Sequence, residues 1–203
     1  MFTLNCKGRL LVIDEPIVMG IINATPDSFY SGSRELSVDG ALQKAQKMVE
    51  EGATILDIGG QSTRPGSSVL NADEELKRAL PIIEAIHKRF PDTFLSIDTY
   101  YGKVARAATE HGASIVNDIS GGSFDTAMLT TVADLQTPYV CMHNKGTVGR
   151  MHQNPVYEDV IREVLDYFIQ RIEDCVKAGI RDIIINPGFG LSKDRKRVVE
   201  GKG

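Results

Sequence analysis

Only three of the 203 residues are cysteines, Cys6, Cys141 and Cys175. They are odd in number, widely separated and without metal-ligand spacing. That argues against a disulfide framework or a thiolate zinc site and points to reduced thiols in the cytoplasm. No apolar run approaches the length of a membrane span. The first residues, MFTLNCKGRLLVIDEP, lack the basic start and long apolar centre of a secretory signal. Positive charge is not in excess: 23 Lys and Arg against 27 Asp and Glu give a net charge of -4. That balance argues against a partner read through nucleic-acid phosphates. Familiar catalytic fingerprints are also missing. There is no glycine-rich dinucleotide loop in the right context, no Walker lysine loop, no HExxH and no serine nucleophile elbow.

What is present is an ordinary globular composition, 42% hydrophobic and 25% charged. The length suits one domain spanning residues 1–203. Phe2 to Ile13 reads as a short hairpin turning at Lys7-Gly8, placed as a plug or lid on the end of the fold. The run from Ile17 to Ile22 stops at Asn23 and reads as a buried strand. A helix from about Ser37 to Glu51, with Ala41, Ala45, Met48 and Val49 as its apolar stripe, stops at Gly52.

The same unit then recurs. Strands are expected at Thr54 to Gly59, Phe94 to Ile97, Ser114 to Val116, Tyr139 to Met142 and Asp182 to Ile185. Helices are expected from Asn71, capped with Glu74 and kinked at Pro81; from Lys103 to His111; and near Asp125 to Leu135. The last runs from Asn154-Pro155 to Gly179, with Val160, Val164, Leu165, Phe168, Ile169, Ile172 and Val176 recurring at helical spacing. For the Asn71 helix the buried face is read as Leu76, Leu80, Ile83 and Ile86.

Six strand-then-helix units without hairpin signals imply a parallel sheet. An open doubly wound sheet and a (β/α)8 barrel both fit. Each strand ends in polar residues: Asn23, Asp57, Asp98, Asn117, His143 and Asn186. A site drawn from all strand ends is the habit of the TIM (β/α)8 barrel, which is the expected class. Such a barrel has eight strands and about 250 residues, so six of eight units imply an incomplete, C-terminally truncated barrel. Residues 194–203 are read as a tail foreign to the domain.

The polar tips form a set of amides, carboxylates, one threonine and one arginine, suited to a flat polar molecule and an anion. Asn23 offers a neutral oxygen to a Mg²⁺ that keeps its waters and meets substrate phosphates. Arg64, beside Thr63, has the fork geometry for phosphate oxygens, or is a surface arginine after a turn. Asp98 and Asn117 suit an edge of adjacent N–H donors. Asp98 also fits a helix cap, and Asn117 and Asp118 fit turn residues. His143 is read first as a structural histidine.

On these residues the chain resembles the dihydropteroate synthase family. Ile21-Ile22-Asn23-Ala24-Thr25-Pro26-Asp27-Ser28-Phe29 resembles its first signature, and Gly52 to Gly66 resembles its second. Ser96-Ile97-Asp98-Thr99, Val116-Asn117-Asp118-Ile119, Met142-His143 and Pro187-Gly188-Phe189-Gly190 follow in the expected order. The resemblance implies a folate-pathway barrel that joins 6-hydroxymethyl-7,8-dihydropterin diphosphate to 4-aminobenzoate, giving 7,8-dihydropteroate and pyrophosphate. It implies that Asn23 holds Mg²⁺ and the diphosphate, that Asp98, Asn117 and Asn186 meet the pterin, and that Thr63 and Arg64 lie near the diphosphate and the aminobenzoate. A homodimer of the full-length protein and binding of sulfonamide mimics are implied as well.

The chain departs from the family's pattern at Ser31, where an acid is usual, at Gln61 for Glu and at Asn186 for Asp. Strands seven and eight are lacking, and with them a pterin-contacting Lys and an Arg-x-His motif. The fragment alone is therefore expected to be inactive. The alternatives are a non-catalytic pterin-binding module, the pterin domain of a corrinoid methyltransferase, or a degenerate gene remnant.

Overall fold

The computed structural model describes residues 1–24, 34–61, 69–145 and 156–189, with backbone alone for 34–37. A hairpin of β1 (Phe2–Cys6) and β2 (Arg9–Ile13) comes first. It turns through Lys7 and Gly8, both at positive φ (55° and 85°), the turn whose twist matches a two-residue hairpin. Strands β3 (Val18–Asn23), β4 (Ala53–Gly59), β5 (Phe94–Asp98), β6 (Ile115–Asp118), β7 (Tyr139–Met142) and β8 (Ile183–Asn186) then form one sheet. All its neighbours are parallel, in the order β3-β4-β5-β6-β7-β8.

That order decides between the two architectures. A doubly wound sheet reverses its strand order at a switch point, whereas a barrel adds each strand beside the last. No reversal occurs here, so the described strands are consecutive staves of a barrel. The helices α1 (Arg34–Glu50), α2 (Ala72–Arg89), α3 (Gly102–Glu110), α4 (Met128–Leu135) and α5 (Val160–Ala178) cover the outer face. Ile22, Leu56, Ile58, Leu95, Ile97, Val116 and Tyr139 point outward into one core with Ala41, Ala45, Ile83, Ile86, Val104 and Val132 of these helices.

Alternate strand residues point inward. At the N-terminal end of the lumen Ile55, Ile115 and Val140 meet Leu4, Cys6 and Leu11 of the hairpin. The hairpin is the expected plug. It is tied to the bottom loops: the Asn5 amide donates to Asp182 Oδ2 (2.8 Å), Lys7 Nζ to the Thr109 carbonyl (2.7 Å), and the Arg9 guanidinium to the carbonyls of Pro91 and Asp92 (2.8 and 2.7 Å). Among the described residues β3 and β8 are the outer strands of the sheet. Their apolar side chains Val18, Ile21 and Ile185 are 59%, 55% and 46% exposed.

Several local expectations are corrected. Helix α2 does start at an Asn71–Glu74 capping box, and the helix continues through Pro81 to Arg89. Its buried face, however, is Glu75, Ala79, Ile82, Ile83 and Ile86, with Leu76 and Leu80 only partly covered. The stripe is therefore centred about one residue away from the expected one. Helix α5 begins at Val160 with Asp159 as cap, its carboxylate accepting from the Arg162 amide (3.0 Å). Asn154 and Pro155 lie outside the described residues. Leu165, Ile169 and Val176, expected on the buried stripe, are exposed, while Val160, Phe168 and Cys175 are buried.

Candidate active site

The C-terminal ends of the strands bring the expected residues together by register. Asn23 aligns with Gly59, Gly59 with Asp98, and Asp98 with Asn117. All four stand on the lumen side, so three polar tips and one glycine form a row across β3 to β6. Gly59 leaves the room that Asp98 uses: a Cβ at that position would lie 3.3 Å from Asp98 Oδ2. Asn186 aligns with Met142 on the same inward face of β8. Thr63 and Arg64, like Ser31, lie outside the described residues.

Asp57 joins this set, one step deeper on β4. Its side chain is buried (3% exposed), and Asn117 Nδ2 donates to its Oδ2 across β5 at 2.9 Å. Burial pushes the Asp57 carboxyl above the usual range, with the Ser96 hydroxyl and the Asn117 amide acting against the shift. Asp98 is pushed up strongly, first by loss of solvent and then by the charges of Asp57, Glu75 and Asp118. Like carboxylates this close penalise one another's ionisation. A ligand that brings N–H donors restores what solvent no longer supplies.

Glu75 is the third member of the cluster and is fully buried. It sits in the first turn of α2, pressed against Gly60, where a Cβ would lie 2.7 Å from Glu75 Cγ. Burial raises its carboxyl to about 7, against hydrogen bonds from Thr99 and Gln61. Gln61, buried at 8%, ties this corner together. Its Nε2 donates to Glu75 Oε2 (3.0 Å) and to the Leu70 carbonyl (2.9 Å), while its Oε1 accepts from the Leu70 amide (3.1 Å). The Gln61 side chain thus clamps residue 61 to residue 70, the two flanks of the segment that carries Thr63 and Arg64.

Asp118 and His143, adjacent to lumen residues in sequence, face the other way. Asp118 is fully buried and accepts from the Tyr139 hydroxyl (2.7 Å), the Ser120 amide (2.7 Å) and the Gly122 amide (2.8 Å). It holds the turn after β6, where Gly121 is obligatory: φ is 57°, and a Cβ would lie 2.2 Å from the Tyr167 hydroxyl. The turn reading is the right one for Asp118. His143 is buried against Tyr167 (4.7 Å between rings) and Phe168 (6.2 Å) of α5, which bears out the structural reading.

Asn186 is more constrained than its sequence suggests. Its Oδ1 accepts from the Gly188 amide at 2.9 Å. One lone pair of its carbonyl oxygen is engaged by the local turn, which leaves the NH₂ and the second lone pair for a ligand. Asn23 is exposed at the tip of β3. Among the described residues no three His, Cys, Asp or Glu side chains converge as a metal cage. One neutral carbonyl donor fits a hard cation that keeps several waters and takes its remaining oxygens from substrate phosphates.

Residues 19–202 match the family described as pterin binding enzymes. The dihydropteroate synthase of Escherichia coli K12 is 41% identical over 190 residues, covering 93% of this chain and 67% of that protein. The chain belongs to the dihydropteroate synthases. The folic acid synthesis protein fol1 of Schizosaccharomyces pombe is 44% identical over 189 residues, 92% of this chain. The structure of Xanthomonas albilineans dihydropteroate synthase with 4-aminobenzoic acid superposes with a TM-score of 0.88 at 40% identity, covering 98% of this chain. The fold is thus that of the TIM-barrel synthases. The chain spans 26% of the fission-yeast protein, 67% of the E. coli protein and 70% of the Xanthomonas chain.

Sequence reasoning named the polar strand tips, Asp57 among them, but gave Asp57 and Gln61 no role in the site and passed over Glu75. Asp57 carried a signal, an aspartate inside an apolar strand. Glu75 carried one too, since it falls in phase with Ala79, Ile82 and Ile86 on the buried face of α2. Gln61 was visible only as a departure from the family's Glu.

Proposed function

We propose that the protein containing this chain condenses 6-hydroxymethyl-7,8-dihydropterin diphosphate with 4-aminobenzoate, releasing pyrophosphate and forming 7,8-dihydropteroate. One observation carries this reading: Asp98 and Asn117 present hydrogen-bond acceptors side by side at the strand ends, with Asp57 behind Asn117. A pterin edge presents adjacent N–H donors, the matching pattern. The solved Xanthomonas relative, crystallised with 4-aminobenzoic acid, supports the second substrate.

The chemistry follows from that seat. The bond from the pterin CH₂ to the diphosphate oxygen breaks, and its electron pair leaves with the diphosphate. The aromatic amine nitrogen forms the new bond to CH₂ and gives up a proton to water. Asp98 and Asn117 hold the ring, which fixes the direction in which CH₂ faces. Asp98, with Asp57 behind it, is placed to favour the positive charge developing on the pterin once the N–H donors of the ring hold it as a carboxylate. Asn23 would hold Mg²⁺, which supplies positive charge for the departing diphosphate. Thr63 and Arg64 are proposed to meet the diphosphate and the aminobenzoate, and Asn186 to meet the pterin.

The proposal extends to a homodimer of the longer protein in the cytoplasm. The free, buried thiols of Cys6, Cys141 and Cys175 suit a reducing compartment. It also holds that the 203-residue chain by itself does not turn over.

The test is pyrophosphate release by the longer protein with both substrates and Mg²⁺. Release that requires both substrates is expected, and so is its loss in Asp98→Asn. No substrate-dependent release would overturn the activity. Turnover by the 203-residue chain alone would overturn only the statement about the fragment.

A further inference from the structure

The amide of Asn117 is oriented from behind. Nδ2 lies 2.9 Å from Asp57 Oδ2, the one direction in which a carboxylate tolerates it, because the opposite orientation would set two acceptors against each other. Asn117 Oδ1 therefore points away from β4. It has no hydrogen-bond partner among the described residues although it is buried. Buried polar atoms of this kind are ordinarily satisfied. This unsatisfied acceptor stands beside Asp98 on the lumen face, so the strand ends of β5 and β6 offer a ligand two adjacent acceptors.

We propose that Asp57 is a positioning residue for substrate choice: by holding the NH₂ of Asn117, it keeps the Asn117 carbonyl turned to the ligand and so selects a flat heterocycle with adjacent N–H donors over one with a carbonyl at the same edge. Asp57 acts through Asn117 and is not itself a catalytic residue. The inference rests on the pterin reading above and adds to it a determinant of specificity that lies outside the row of strand tips.

The geometry makes the substitutions informative. In Asp57→Leu, of similar size, nothing holds the Asn117 amide, which becomes free to turn its NH₂ to the lumen. In Asp57→Asn a carbonyl oxygen remains to accept from Asn117, so the orientation persists.

The test compares two probes by calorimetry on the protein and its variants. One is 6-hydroxymethyl-7,8-dihydropterin. The other is its lumazine counterpart, in which a carbonyl replaces the 2-amino group. The wild type is expected to prefer the pterin. Asp57→Leu should weaken pterin binding roughly tenfold, about the weight of one hydrogen bond to a buried acceptor. It should weaken lumazine binding much less, so that the preference collapses. Asp57→Asn should restore the preference to within about threefold of wild type. If the leucine variant does not fold by circular dichroism, Asp57→Ala, which leaves room for water, takes its place with the same expectation.

An equal loss for both probes would mean that Asp57 only supports the fold and would overturn the proposal. An unchanged preference would overturn it too. A wild type that binds the pterin while its variants keep the preference sinks this inference alone. A wild type that binds neither probe sinks the pterin reading beneath it.

Discussion

At the N-terminal end of the lumen, Ile55, Ile115 and Val140 pack on Leu4, Cys6 and Leu11 of the hairpin. At the C-terminal end, Asp57, Asp98 and Glu75 crowd into a space with few donors. The same six strands build both ends, with the same inward alternation. The lower end gains stability from burial, about 25 cal/mol for each Å² of apolar surface removed from water. The upper end loses stability by holding carboxylates above their ordinary pKa. A fold that could be stabilised by neutralising this cluster but keeps it is set up for a ligand that supplies the missing donors.

The largest effect that tests this contrast is at the lower end. Ile115 is fully buried. Ile115→Ala should cost about 2–5 kcal/mol of stability, read as a fall in the urea midpoint, with pterin affinity retained at temperatures where the variant is folded. A parallel loss of affinity in the folded variant would show that the two ends are not independent.

At the upper end, Glu75→Gln should do the opposite. The buried Glu75 carboxyl keeps its proton up to about pH 7 in the folded protein, whereas in the unfolded chain it ionises near its ordinary value of 4.5. Between those values the folded state binds more protons. Its relative stabilisation is therefore greatest at low pH and is lost as pH rises through about 7. Removing the charge should raise stability at pH 8 by up to ~3 kcal/mol, at 1.36 kcal/mol per pKa unit, and by much less at pH 4. Melting curves of variant and wild type across that range decide it; a gap that does not widen with pH would refute the assignment.

Asn186→Asp comes next. The introduced carboxylate could still accept from the Gly188 amide with one oxygen and offer a second, charged oxygen to a ligand where Asn186 sets its NH₂. Pterin affinity should rise about tenfold to a hundredfold, the ~1.5–3 kcal/mol of a charge-assisted bond. No gain on titration would place Asn186 away from the donor edge.

The smallest expected change is Gln61→Glu. A glutamate there faces the Glu75 carboxylate and loses the amide that donates to Leu70 and Glu75. A loss of about 1 kcal/mol at pH 8 that shrinks at pH 5, where a shared proton can bridge the pair, is expected in thermal melts. Equal stability at both pH values would argue that Gln61 has no electrostatic part in the corner.

Much of the architecture was legible because local signals agreed with the global one. Lys7-Gly8 specifies its turn, Asn71 and Glu74 their capping box, and Gly179 ends α5 in the left-handed region. The row Asn23, Asp98, Asn117 was legible as polar residues closing apolar strands. What sequence could not supply is direction and partner. Asn117 and Asp118 are consecutive, yet one faces the lumen and the other anchors a turn from behind, a difference set by strand alternation and register. The exposed Leu165, Ile169 and Val176 match the helical period as well as the buried Phe168 does, so periodicity alone does not choose the face. Asp57 and Glu75 matter through neighbours 60 and 14 residues away, Asn117 and Gln61, and such pairings appear only when the strands are assembled.

The hairpin's attachment also bears on how the chain comes to its native state. The Asn5 amide bonds to Asp182, 177 residues later, and Arg9 to the carbonyls of Pro91 and Asp92. The two-stranded ribbon can form at once from local contacts, but its seat is built in stages as successive strands arrive. It cannot make its last tie until the ribosome has delivered Asp182. Long-range closures of this kind slow folding and leave apolar surface waiting. The hairpin is made before the strands that seat it and is thus among the last parts to be locked in place, and Leu4 and Leu11 are the residues for which a nascent chain most needs protection.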